Sequence, residues 1–269
     1  MSPSLYKQMM KSNFKSIMSF GMASAVYVIL MTSLFPMISD NIDKIQELTE
    51  IYPDSLMKAF GLESFGTYGE FISAEYYGLF FLFILGIFSV MTAIQLIAKL
   101  VDRGSMAYLL STKVSRAQVA ITQISVLITG LIIIIFLNFA GGYAAGELLI
   151  DDQYAIAMGD FFQINFVGFL LFFAVGGYSI LFSSLFNDEK MAFAAAGGVT
   201  FLFYALDMAG KIVSDLEWLR NLSIFSLYEP AKIAKGDVNV VLVSLILFGL
   251  GLLMYIATVL VFRRRNLPL

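Results

Sequence analysis

Two side chains on which much protein chemistry depends are missing from this 269-residue chain, which has no cysteine and no histidine. Without cysteine there are no disulfides, thiolate metal ligands or thiol nucleophiles, and the redox compartment leaves no trace. Without histidine there is no imidazole base, no imidazole metal ligand and no Ser-His pair. Gly-x-x-x-x-Gly-Lys-Ser/Thr is absent as well, so the chain does not hold ATP by a P-loop. Charge is scarce: 14% of residues are charged and 59% hydrophobic, with a mean hydropathy of +0.84. A soluble domain is far less apolar than this. The composition describes a polytopic membrane protein, expected to be all-α, in which no catalytic residues and no metal ligands are expected.

About 20 apolar residues cross roughly 30 Å of hydrocarbon, and six uncharged runs qualify: Ser16 to Ser39, Tyr76 to Ala98, Ala117 to Gly146, Phe161 to Asn187, Met191 to Leu206 and Val238 to Phe262. The fifth is short and is extended past Asp207 toward Gly210. The first is too long for a signal-peptide core and is read as a retained span. No Asp, Glu, Lys or Arg lies inside these runs, which argues against proton or sodium coupling, a process that needs an ionisable group at membrane depth. Intramembrane proteases and acyltransferases need a histidine or a buried acid, so an enzyme is not expected.

Six spans put both termini on one side. Lys7, Lys11, Lys15, Lys99, Arg103, Lys113, Arg116, Lys190 and Arg263 to Arg265 share that side with only Asp102, Asp188 and Glu189, a balance of +8. The other side carries −11. The positive-inside rule therefore places both termini in the cytoplasm.

Ser2 and Pro3 can open an N-terminal helix. Lys7, Lys11 and Lys15 recur on one of its faces, and Tyr6, Met10, Phe14 and Ile17 on another, as in an interfacial helix with its lysines at anionic headgroups. An outer loop from Asp40 to Glu75 places Ile42, Ile45, Leu48 and Ile51 at helical spacing, with acidic residues such as Asp43 and Glu47 on a solvated face. The aromatic second span, the Gly142 to Gly146 GxxxG pattern and the small residues Ala194, Gly197 and Gly198 imply close helix packing. Asn187 or Asp188 can cap the fifth span and Asp237 the sixth. Between those spans Trp218, Leu222 and Phe225 mix with charges, so the segment sits partly in the membrane. Pro230 and Gly236 delimit one short helix there.

The most distinctive stretch runs from Lys99 to Arg116. Gly104 and Ser105 can start a short helix with Met106, Leu109 and Leu110 on one face, and Ser111 and Thr112 can stop it. Ser115 and Gln118 form a capping box for the third span, with Val114 and Val119 placed as a staple. The loop spends Met106, Tyr108, Leu109 and Leu110 on a water-facing surface, as a docking site would. A juxtamembrane helix lying on lipid headgroups explains the same pattern, and both readings stay open on periodicity alone.

Three stretches carry a resemblance. Asp102-Arg103-Gly104-Ser105, Leu109-Leu110-Ser111 and Val114-Ser115-Arg116 resemble the acidic Arg-Gly-Thr, Leu-Leu-Ser, Pro-Val-Ser-Arg loop of ABC-2 type permeases, the membrane subunits of bacterial ABC exporters. Lys113 stands where that family often has proline. Leu222-Ser223-Ile224-Phe225 is similar to the family's Leu-Ser-Pro-Phe, and Arg264-Arg265-Asn266-Leu267-Pro268-Leu269 to its closing Arg-Arg-Asp-Leu-Pro-Leu.

The resemblance covers essentially the whole chain and implies a multi-pass protein of the bacterial plasma membrane. It implies a coupling helix between spans 2 and 3, with Asp102, Arg103, Gly104, Ser105, Met106, Tyr108, Leu109, Leu110 and Arg116 contacting a separate P-loop ATPase that binds ATP and Mg. It also implies short outer helices between spans 5 and 6, with Trp218, Leu222, Phe225 and Pro230 in a re-entrant segment. A second permease, identical or related, completes the path, whose wall would include Phe80, Phe83, Phe88, Phe201 and Tyr204. The cargo would be an amphipathic peptide, drug or similar compound, and no nucleic acid is expected. The alternative is a non-transporting immunity or sensor protein with a permease-like fold.

Overall fold

The computed structural model describes residues 1–41 and 67–266. The amphipathic helix expected around Ile42 to Ile51 lies outside the described residues. Within them the protein is helical, without strands, and six helices are long and apolar enough to cross a membrane.

Helix α1 spans Pro3–Ser39 without a break. The separate interfacial helix expected at the N-terminus is instead the first part of the first span, because nothing between Pro3 and Ser16 interrupts the backbone ladder. At about 1.5 Å per residue its 37 residues reach about 55 Å, well beyond the roughly 30 Å of a hydrocarbon core. Lys7, Lys11 and Lys15 ride exposed on that extension.

The second span is the irregular one. Thr67 caps α2 (Tyr68–Ile72) by accepting from Glu70 N–H, a π-turn covers Ser73–Tyr77, and α3 follows at Phe80–Leu96. Ile97, at φ −129° and ψ −67°, breaks the helix, and α4 resumes over Ala98–Asp102. The Ala98 N–H freed by that break donates to Ser183 Oγ at 2.9 Å. Gly104 then turns the chain at φ +69°, the left-handed region that glycine enters without a Cβ clash, and α5 covers Ser105–Leu110, as the spacing predicts.

Helix α6 (Arg116–Leu149) begins on the expected capping box: Gln118 N–H donates to Ser115 Oγ at 3.2 Å and Ser115 N–H to Gln118 Oε1 at 2.9 Å. Helix α7 covers Met158–Leu185 and α8 Glu189–Ile212, the latter capped by Asp188, which accepts from Met191 N–H at 2.7 Å. Two 3-10 segments (Ser214–Leu222 and Ile224–Leu227) precede α9 (Pro230–Lys235), which Gly236 ends at φ +78°. Helix α10 (Val240–Arg264) is capped by Asn239 rather than Asp237, because its first turn starts two residues later than the charge pattern implied.

Helix α7 is the centre of the bundle. Of its most apolar 18 residues 78% are buried, against 17% for α8 and for α10, whose remaining faces are open to lipid or to another chain. Helices α3 and α10 pack on α7, and α1 on α6. Contact with α10 is close at Gly251, where an added Cβ would stand 2.7 Å from Phe173 Cε1 and 3.2 Å from the Ala174 Cα. In the GxxxG pair only Gly142 is tight, with Phe161 Cζ 2.8 Å from the position a Cβ would take. Among the small residues in the first turns of α8, Ala192 and Ala196 are buried against Val90, Ile94 and Ala98. Ala194 and Gly198, expected on the packed face, are exposed, since the 192/196 register is the one turned toward α3.

A polar cluster crosses the apolar core. Tyr76 OH donates to Asn138 Oδ1, and Ser24 Oγ, 2.6 Å from Tyr76 OH and 2.9 Å from Asn138 Oδ1, gives its one proton to either of them. Asn138 Nδ2 donates to Asn165 Oδ1 (2.8 Å) and to Tyr77 OH (3.1 Å), and Asn165 Nδ2 donates to Tyr77 OH (2.9 Å). The cluster binds α1, the π-turn, α6 and α7 together. A polar atom left unpaired in hydrocarbon costs several kcal/mol, so the mutual pairing is a condition of its burial.

The close approach at Gly251 yields a test. Gly251→Val overpacks the α7 contact and should cost about 1–3 kcal/mol, seen as a lower melting temperature in detergent. Gly249→Val, on the same helix with nothing within 4 Å of its Cβ position, should leave it unchanged. Equal behaviour of the two variants would contradict the α7–α10 packing.

Candidate functional site

Three features at different depths bear on function: a lateral groove, an outer ion-pair clamp and an inner arm. The groove lies between α3 and α8. Phe83, Ile87 and Met91 of α3 face Phe193, Thr200, Phe201 and Tyr204 of α8, and Phe225 closes one end. Its walls are almost wholly apolar. The Thr200 hydroxyl is already committed to Tyr178 OH (2.7 Å) and the Ala196 carbonyl (2.7 Å), so it offers little to a polar guest. Phe83 and Tyr204 stand 5.5 Å apart, and Tyr204 meets Phe225 edge-on at 5.8 Å. A guest here would be held by apolar and aromatic contact.

Three of the five wall residues expected from sequence, Phe83, Phe201 and Tyr204, come together in this groove. The other two do not join them. Phe80 turns to α1, with its ring 4.5 Å from that of Tyr27. Phe88 is fully buried beside Phe20, where its Cζ fills the space a Cβ on Gly130 would need. Phe88 is therefore a core residue within this chain and does not line this groove, since the missing side chain on Gly130 leaves the space its ring fills. Sequence reasoning missed Met91, Phe193 and Thr200, which share the helical spacing of the residues it chose.

The outer clamp is built on Asp207. The uncharged fifth run does end at Leu206, but its helix continues to Ile212 and carries Asp207 almost fully buried. Lys211 Nζ lies 2.7 Å from Asp207 Oδ2, and Arg220 Nε donates to Asp207 Oδ1 at 3.1 Å. Arg220 also donates to Glu229 Oε1 (2.6 Å), which Lys232 reaches at 3.1 Å. Lys235 pairs with Glu70 at 2.8 Å and so ties α9 to α2. This network anchors the segment between spans 5 and 6. There Pro230 and Phe225 are buried, while Trp218 and Leu222 stand exposed, at 58% and 55%. Burial pushes the Glu229 carboxyl up, but the hydrogen bonds and charges of Arg220 and Lys232 outweigh it and hold the group below its ordinary 4.5.

The inner arm consists of α4 and α5. Here the expected exposure needs correcting. Met106 is fully buried in the chain's own core, and Leu109 and Leu110 pack half-buried against that core. The amphipathic face that looked free on periodicity is used to seat α5 on the bundle. Tyr108, on the opposite face, is 81% exposed. Arg103 and Gly104 are exposed and Ser105 is half-buried at the first turn of α5. Asp102 accepts from the Glu189 N–H at 3.2 Å, and Lys99 Nζ lies 3.4 Å from Glu189 Oε1. Arg116 turns away from the arm to donate to the Arg265 carbonyl. Among the described residues no group of three His, Cys, Asp or Glu is arranged to hold a metal.

Six spanning helices, a helix-bearing loop after the second of them and a lateral apolar groove define a membrane permease. The sequence profile of the family described as "Multidrug efflux system permease Rv1217c, C-terminal domain" matches residues 9–263, and the chain belongs to that family. It is thus the permease component of an efflux system, a transport subunit by family. No curated protein matches it.

The depressed Glu229 fixes the sign of a pH effect. A carboxylate held below its unfolded value contributes stability that is complete above about 4.5 and is lost as the pH falls through the lower folded value. Trp218, the single tryptophan, sits in the clamped 3-10 segment. Its emission should stay constant down to pH about 4.5 and shift below it, while Glu229→Gln should show the shifted spectrum at neutral pH. An unchanged neutral spectrum in that variant would contradict the clamp.

Proposed function

We propose that this permease works as the membrane half of an ATP-driven exporter of the ABC-2 type, energised by a separate P-loop ATPase and paired with a second permease. The observation that carries the reading is the inner arm. The short helix α5, set off from α4 by the Gly104 turn, seats Met106, Leu109 and Leu110 inward and leaves Tyr108 standing outward, 81% exposed. An exposed aromatic on a rigidly seated helix is what a docking partner's pocket would take. The lipid-surface reading of this loop needs the apolar face turned outward, and that face is buried. ATP and Mg belong to the partner, since the chain has no P-loop. The groove between α3 and α8, aromatic and without a free charge, favours amphipathic compounds with a substantial apolar part. The exposed flanks of α8 make it the side on which the second permease would complete the path. The +8 and −11 faces put the arm and both termini in the cytoplasm.

Two experiments test this. Co-expressed with the ATPase from its own operon, the wild-type chain should co-purify with it. Tyr108→Ala should weaken that capture by about thirtyfold, the equivalent of about 2 kcal/mol at an interface anchor. Wild-type yield from the variant would remove Tyr108 from the docking surface. For orientation, single cysteines can be read without background in this cysteine-free chain. Asp152→Cys should react with an impermeant thiol reagent on intact cells and Ser111→Cys only after lysis. Labelling of Ser111→Cys from outside would reverse the topology.

A further inference from the structure

Glu75 carries a charge that the rest of the chain leaves unanswered. It stands half-buried in the π-turn Ser73–Tyr77, at the outer end of the second span. Among the described residues no ion pair, hydrogen bond or neighbouring charge compensates its carboxylate. Other acids at this end are treated differently: Glu70 pairs with Lys235, Asp207 with Lys211 and Arg220, and Glu229 with Arg220 and Lys232. An unpaired carboxylate drawn partly out of water is costly. The turn that holds it is itself irregular, with Gly78 N–H donating to the Ser73 carbonyl at 2.8 Å, and π-turns of this kind recur at functional sites. What surrounds Glu75 is aromatic. Tyr27 of α1 lies within electrostatic reach of the carboxylate, and the Tyr27 ring is 4.5 Å from that of Phe80 and 5.7 Å from that of Tyr76. Phe80 is 40% exposed and begins a stripe, Phe80, Phe83, Ile87 and Met91, that runs open along one face of α3 into the groove against α8.

From this arrangement we propose that Glu75, Tyr27 and Phe80 form a site for the head of an amphipathic organic cation, a quaternary ammonium, a phosphonium or a protonated amine, whose apolar part lies along the α3 stripe toward the groove. The carboxylate supplies the opposite charge. The ring faces carry the negative side of the aromatic quadrupole and attract the same cation. A bare metal ion fits poorly, because calcium and magnesium take about six or more oxygen ligands and one carboxylate supplies two. Among the described residues no group of three His, Cys, Asp or Glu stands ready to complete such a shell. A large organic cation gives up little hydration on entering and gains the rings. The groove itself, apolar and without a free charge, does not select the sign of its guest; Glu75 does. Ammonium heads belong to exported compounds and to phospholipids alike, and the site offers both the same chemistry. Naming the charge class of the cargo deepens the exporter reading and rests on it; binding of the cation does not.

The probe is tetraphenylphosphonium, with tetraphenylborate as its counterpart of like shape and opposite charge. The full chain in a nonionic detergent should bind the phosphonium and not the borate. Glu75→Gln should weaken phosphonium binding by about tenfold or more, the scale of a charged partner lost from a partly buried contact. Phe80→Leu should weaken it by about threefold, the scale of one cation–π contact. Asp152→Asn makes the same change of charge at an exposed residue and should leave binding unchanged. Glu75→Gln should also melt at or above the wild-type temperature, because it breaks no pair within the chain. A lower melting temperature would make Glu75 a structural residue and overturn the site. Equal binding of phosphonium and borate, or undiminished phosphonium binding by Glu75→Gln, would overturn it as well. Two further arms read the source of the cation. Phosphonium-stimulated ATP hydrolysis by the complex with the ATPase, lost in Glu75→Gln, assigns the site to cargo. Competition by phosphatidylethanolamine in phosphatidylglycerol nanodiscs, with hydrolysis indifferent to phosphonium, supports the site as one for lipid heads and overturns the cargo class. Failure of the wild-type chain to capture any ATPase would overturn the exporter reading while phosphonium binding stood, so the two failures are distinguishable.

Discussion

Hydrocarbon offers no water to an unpaired polar group, and the second span could not exist in it without help. A π-turn, a break at Ile97 and three tyrosines at one end are features an isolated membrane helix would straighten or expel. They persist because other helices satisfy them: Asn138 of α6 and Asn165 of α7 pair with Tyr76 and Tyr77, Thr32 of α1 pairs with Tyr68 at 2.8 Å, and Ser183 of α7 takes the Ala98 N–H. Each irregularity in the second span is thus held by a polar side chain of a regular, well-packed helix.

The same logic governs the two ends of α8. This helix is tied to its neighbours by the packing of Ala192 and Ala196, by the Thr200–Tyr178 hydrogen bond, and near its termini by charges: Asp102 and Lys99 at Glu189, and Arg220 at Asp207. The partly exposed pair at Glu189 is individually weak, whereas the pairs on buried Asp207 answer a charge that water does not reach. The apolar groove lies along the seam between α3 and α8, and Phe225, in the segment anchored by the outer clamp, closes one end of it.

Much of the architecture was legible in the sequence because the bilayer constrains it so strongly. The six runs, the capping box at Ser115, the Gly104 start of the arm helix and the Pro230 to Gly236 helix all follow from local chemistry, and each is where that chemistry puts it. What could not be read is which face of each helix turns inward. Met106 and Tyr108 are two residues apart on one short helix. Periodicity grouped the correct face, Met106 with Leu109 and Leu110, but could not say whether the core or the water receives it. Phe83 and Phe88 are equally aromatic, and only the glycine opposite Phe88 on another helix sends it to the core. The fifth span is extended past Asp207 on sequence, but the burial of Asp207 is set by Arg220, thirteen residues on, whose pairing with it the local pattern does not show. Asn138 and Asn165, neutral residues in mid-run, were the available sign of the polar cluster. A search confined to full charges passes over them.

The central claim is that α5 receives the proposed ATPase. Hydrogen–deuterium exchange of the chain, alone and with that ATPase, addresses it directly. The account predicts slowed exchange over Ser105–Leu110 on ATPase binding and little change in α7. Protection confined to the opposite, acidic face, or binding that leaves Ser105–Leu110 exchanging at its free rate, would contradict it.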